Sequence, residues 1–143
     1  MSKSQKMNKE NDSIVRYCKP TQIQGDKILV GAFLLRKKDP ELKRPKDEKE
    51  LSVYHYDYYK ESPLKNIKDF AEEKMALKPE GCFAVIKYSD IEKDIKENLS
   101  VDIDIKPACK PHYLILNLYQ CDEDAAFYFA KNVKSFTKIK DIK

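Results

Sequence analysis

Apolar and polar positions alternate most regularly over residues 51–59, where Leu51, Val53, His55, Asp57 and Tyr59 share one face and Ser52, Tyr54, Tyr56 and Tyr58 the other. That period-two pattern predicts a strand. Residues 14–18 predict a short edge strand that Pro20 ends. Gln24-Gly25-Asp26 is a turn signal, and the apolar run 27–35 reads as a buried strand with Gly31 marking a bulge or close contact. Ser62-Pro63 starts a helix with Leu64, Ile67, Phe70, Ala71 and Met75 on one side, and Pro79 and Gly81 stop it. Residues 82–88 form a strongly apolar strand, and a short helix follows over 90–98 with Ile91 and Ile95 inward. Val101, Ile103 and Ile105 alternate with Asp102, Asp104 and Lys106, as in a half-buried strand. Residues 107–111 read as a turn, 112–119 as a strand, and Asp122 opens a last helix carrying Ala126, Phe129, Ala130 and Val133.

Helices interrupt strands irregularly in this order, which favours α+β over a doubly wound parallel sheet. The expected architecture is one domain, a mixed or mostly antiparallel sheet with about three helices packed on it. The domain is expected over residues 14–136, with a disordered polar tail at 1–13 and a flexible charged tail at 137–143.

The chain has 143 residues, enough for one sizeable core. Charged residues make up 36%, but the signs nearly balance at a net +4, so nucleic-acid binding is allowed without being favoured. With three glycines and no GxGxxG or GxxxxGK[ST] pattern, the usual nucleotide loops are excluded and no cofactor is expected. Cys18, Cys82, Cys109 and Cys121 show no Cys-x-x-Cys spacing. No signal peptide or membrane span is read, so reduced thiols in a cytoplasm are expected. The charged loop 36–50 is a solvated surface loop or a partner contact.

Candidate chemistry is sparse. His55 lies two residues from Asp57, and a His beside a carboxylate can act as a general base; His112 opens a later strand and would complete a two-histidine site if it lay nearby. Two histidines on separate strands with no motif around them are more simply read as structural, each bonded to backbone. Cys109, flanked by Lys106 and Lys110 with His112 three residues on, is the most reactive thiol by position. Tyr54, Tyr56 and Tyr58 form a face suited to binding a partner. Asp102 and Asp104, with Asp122, Glu123 and Asp124, are read as a solvent face, and no metal site is expected. Arg16 on the first strand is a feature of ADP-ribosyl-transferring folds, but no strand ending in a catalytic Glu follows.

Three islands, Leu51-Ser52-Val53-Tyr54, Gly81-Cys82-Phe83-Ala84-Val85 and Lys110-Pro111-His112, resemble stretches of small bacterial proteins of no assigned activity. That resemblance implies no reaction and no site residue. The leading expectation is a protein-interaction domain, in a setting such as a bacterial toxin–antitoxin or phage-defence cassette, with another protein as partner. The alternatives are a small hydrolase or transferase using His112 with Cys109 or Tyr54, and a nucleic-acid-binding protein.

Overall fold

The computed structural model describes residues 7–36, 49–119 and 121–143. Its frame is a six-stranded sheet whose neighbours all run antiparallel. The strands are β1 (Ser13–Cys18), β4 (Leu51–His55), β5 (Cys82–Lys87), β6 (Asp104–Cys109), β7 (His112–Leu116) and β8 (Val133–Lys138), in spatial order β6-β7-β4-β1-β5-β8. A separate small hairpin joins β2 (Ile23–Gln24) to β3 (Lys27–Ile28) through Gly25, whose φ of 62° suits a glycine. The helices are α1 (Pro63–Glu72), α2 (Tyr88–Leu99) and α3 (Asp122–Lys131). This is the expected single α+β domain. No helix among the described residues is long and apolar enough to cross a membrane.

The helices cover both sheet faces, which explains the run at β5, where Cys82, Phe83, Ala84 and Ile86 are all fully buried. On one face Ile91 and Ile95 of α2 and Phe129 of α3 pack over Ile14, Leu51, Val53, Ala84 and Ile115. On the other, Ile67 of α1 packs with Val15, Phe83, Ile139 and Ile142.

Several elements differ from their sequence reading. β1 is central, paired with β4 on one side and β5 on the other. The run 27–35 is strand only at Lys27–Ile28; it continues as a 3-10 turn, Val30–Phe33. Ile28, Ala32, Phe33 and Leu35 are buried, with Phe33 stacked on Phe129 of α3 at 5.6 Å, while Leu29 and Val30 face outward. Side chains elsewhere take its backbone groups: Asp122 Oδ1 accepts the Leu35 N–H at 2.9 Å. The strand at 51 ends at His55, and Tyr56–Tyr58 is a 3-10 turn. Asp57 within that turn accepts the Ser13 N–H at 2.7 Å, a local bond that competes with a ladder. The expected turn at 107–111 begins later, because β6 runs on to Cys109.

Both expected tails are built into the fold where they are described. Residues 1–6 lie outside the described residues, but Met7 packs against the core and Asp12 Oδ2 accepts the Asn8 N–H at 2.9 Å. At the other end Ile139 and Ile142 are buried, and the Ile139 N–H donates to the Gly81 carbonyl at 2.9 Å. Their burial outweighs the charge of the lysines beside them, two of which, Lys138 and Lys140, pair with Glu80. The loop read at 36–50 falls mostly on residues 37–48, outside the described residues.

Gly81 is needed for close approach. A Cβ there would sit 2.8 Å from the Cys18 carbonyl oxygen and 2.9 Å from the Tyr17 hydroxyl. Because the first contact is backbone, Gly81→Ala is expected to cost about 1–3 kcal/mol, read as a lower urea midpoint with an unchanged m-value. An unchanged midpoint would show that the β1 end moves aside freely.

Candidate functional site

The two histidines do not meet. His55 shares the α2/α3 face with Leu51 and Val53, whereas His112 lies opposite Tyr54 on the α1 face. Successive strand residues point to opposite faces, so this follows from the register.

His55 is fully buried, and its Nε2 lies 2.7 Å from Asp12 Oδ2. Asp57 completes a group of three whose ligand atoms lie within 4.8 Å of one another, a spacing that could hold a cation. The Oδ2 atoms of both carboxylates already have work, whereas the buried His55 Nδ1 has no hydrogen-bond partner among the described residues. Asp12 Oδ2 takes the His55 ring and the Asn8 N–H, while Asp57 Oδ2 takes the Ser13 N–H. The group staples the start of the chain to the sheet. Asp12→Ala is expected to lower unfolding free energy by about 1–3 kcal/mol, and Asp12→Asn, which keeps an acceptor, by clearly less. Equal losses in urea titrations would contradict the staple.

The other acids are dispersed. Asp104 pairs with Lys9 at 2.5 Å, Asp102 with Lys96 at 3.0 Å, and Asp122 caps Leu35. The tyrosine face is also divided. Tyr54 packs between Phe70 and Phe83, Tyr56 borders the α1-side core, and Tyr58 sits beside the His55 ring. The 3-10 turn after His55 breaks the alternation that would have aligned them.

What the sheet does build is a cleft at a split between β1 and β4. Their ladder holds only at Ile14↔His55 and Val15↔Tyr54. Beyond that the strands part, leaving backbone groups that need partners. Arg16 fills the gap: its Nη1 donates to the Ser52 carbonyl at 2.7 Å and its Nε to the Ala32 carbonyl at 2.9 Å. The opening has a volume of about 250 Å³, and Arg16, Tyr17, Arg36, Ser52, Tyr54 and Met75 are among its walls. Lys19 adds a third cation, and no carboxylate lines the cleft among the described residues.

Ser52 stands between this cleft and His112. It lines the opening, and its Oγ is in short hydrogen-bond contact with His112 Nε2. With the ring proton on Nδ1, Nε2 accepts from the hydroxyl. Burial, and then the Lys74 charge, hold the His112 pKa below its ordinary 6.5, so the ring is neutral at pH 7. Among the described residues no carboxylate pairs with it. Tyr54 packs against the same imidazole at 5.8 Å between ring centres; burial raises its pKa, so its hydroxyl keeps its proton. Cys109 is the ladder partner of His112 on the other side, but its thiol is exposed and the imidazole nitrogen is given to Ser52.

Of the residues singled out from sequence, the fold thus brings together His112, Tyr54 and, at the ladder's end, Cys109. It leaves His55, Tyr56 and Tyr58 elsewhere. Ser52 went unnoticed, although it shares a strand face with Tyr54. No family model matches the chain, and no curated protein or solved structure matches it. Fold and site are those of a small α+β protein with a cationic cleft backed by a serine–histidine pair.

Proposed function

We propose that the chain is a small hydrolase or transferase whose cleft takes a small anionic ester, with Ser52 as nucleophile and His112 as base. One observation carries this reading: a hydroxyl held between a cationic cleft and an imidazole kept neutral by its surroundings. Ser52 Oγ would bond to the acyl or phosphoryl centre as its proton passes to His112 Nε2. The leaving group would depart with its bonding electron pair and take that proton. Water, or an acceptor alcohol, would then release the group from Ser52 by the reverse proton path. Arg16, Arg36 and Lys19 would supply the positive field that attracts the substrate and stabilises charge developing in the transition state. In this reading the chain works in a reducing cytoplasm, where its cysteines remain thiols.

The test is incubation with a fluorophosphonate probe, read by intact mass and peptide mapping. The expected result is a single adduct on Ser52 that is absent from Ser52→Ala. No adduct, or one spread over Ser and Tyr hydroxyls and unaffected by Ser52→Ala, overturns the reading.

The expected protein partner finds no support in the divided tyrosine face. A different surface favours it, as follows.

A further inference from the structure

The outer edge of β8 closes the sheet on one side, with no strand paired beyond it among the described residues. Alongside runs a groove of about 710 Å³. Residues Val133, Lys134, Ser135 and Phe136 all line it. Consecutive strand residues point to alternate faces, so four in a row border one groove only when it follows the strand's edge, where backbone N–H and C=O groups emerge.

The far wall comes from α3 and the β3 region. The core side of α3 carries Ala126 and Phe129, both fully buried, while Phe127 points outward at 54% exposure. Val30, 38% exposed, lies across from it on the same groove. Together with Phe136 these make an apolar floor of a kind that a surface does not need for stability. Lysines rim it. Lys27, Lys131 and Lys134 all line the groove, against the one carboxylate, Asp26, that lines it among the described residues. Neither Lys27 nor Lys134 forms an ion pair among the described residues. Edge lysines commonly deter strand pairing, and they do so against a neutral or basic strand; an acidic one meets attraction instead.

We infer that this edge docks an extended acidic segment of a partner protein by strand addition. Its backbone would continue the sheet beyond β8. Its carboxylates would face Lys27, Lys131 and Lys134, and one apolar side chain would seat between Phe127, Val30 and Phe136. The groove shares no residue with the Ser52 cleft, so the inference stands whether or not that cleft is catalytic.

The test uses a fluorescein-labelled peptide alternating glutamate with phenylalanine and isoleucine. Two controls accompany it: the same peptide with lysine for glutamate, and one with proline at alternate positions, which cannot pair as a strand. Binding is followed by anisotropy, and the site by backbone amide shifts and hydrogen exchange of the full chain. The expected result is saturable binding of the acidic peptide that weakens with salt, with new protection at Ser135 and its neighbours. Phe127→Ser and Lys134→Glu should each weaken it at least tenfold. Both positions are exposed, and an unchanged thermal midpoint will show that the variants fold. Equal binding of the proline or lysine peptide, shifts that map away from β8, or affinity only for a single-stranded oligonucleotide would overturn the proposal.

Discussion

His112→Ala is expected to slow modification of Ser52 by a fluorophosphonate about 10²–10⁴-fold, the usual contribution of a positioned general base. The protein should stay folded, since His112 is only half-buried and its ring can be removed without orphaning a buried charge. The pH dependence separates catalysis from mere packing. His112 must be neutral to accept the Ser52 proton. Its pKa is held down first by burial and then by the Lys74 charge. The wild-type rate should therefore rise with pH through an inflection below 6.5 and stay flat above neutrality. Lys74→Gln removes one cause and should move the inflection upward only in part, because burial remains. His112→Ala should abolish the inflection altogether. A purely structural His112 would change the amount of folded protein and leave the shape of the profile alone.

Phe83→Ala is expected to cost the most stability, about 3–5 kcal/mol in urea unfolding. Phe83 is fully buried on the α1 face and lies under two walls of the cleft, with Tyr17 at 6.2 Å and Tyr54 at 6.3 Å between ring centres. Phe83→Leu keeps most of the volume and should cost less than about 1.5 kcal/mol. The pair of variants also probes the cleft. Phe83→Ala should slow Ser52 modification more than Phe83→Leu, in order of lost volume, because both tyrosines rest on that ring. Identical stabilities for the two would mean that the site collapses around the deletion.

Much of the fold was readable where local pattern and tertiary need agree. The apolar run of β5, Pro63 at the first position of α1 and the inward Ile91 and Ile95 of α2 each specify their element with their own residues. Where long-range contacts decide, the sequence was silent. Residues 27–35 look like a strand because a short apolar run cannot say whether a sheet or a helix will cover it, and α3 covers this one. β8 does not read as a strand, its start falling to the last helix and its end to the charged tail, because four of its six residues are charged or hydroxylic; it becomes a strand only by pairing with β5. β1 looks like an edge because Arg16 and Tyr17 break its apolar run, yet Arg16 is there to fill the split from β4.

The candidate site was legible in part for the same reason. A histidine is conspicuous and a lone strand serine is not. Ser52 gains meaning only from the pairing of β4 with β7, which places it beside a histidine 60 residues away. The alternation at 51–59 did place Ser52 and Tyr54 on one face and His55 on the other. It failed at Tyr56, where Asp57 turns back to bond Ser13.

The most direct measurement is the NMR titration of the His112 imidazole in the intact protein, set beside the pH profile of Ser52 modification. The account predicts a single titration below 6.5 that coincides with the inflection in rate, and a neutral ring with Nε2 as acceptor at pH 7. A ring that titrates above 6.5, or a rate whose inflection lies apart from it, would contradict the claim that His112 activates Ser52.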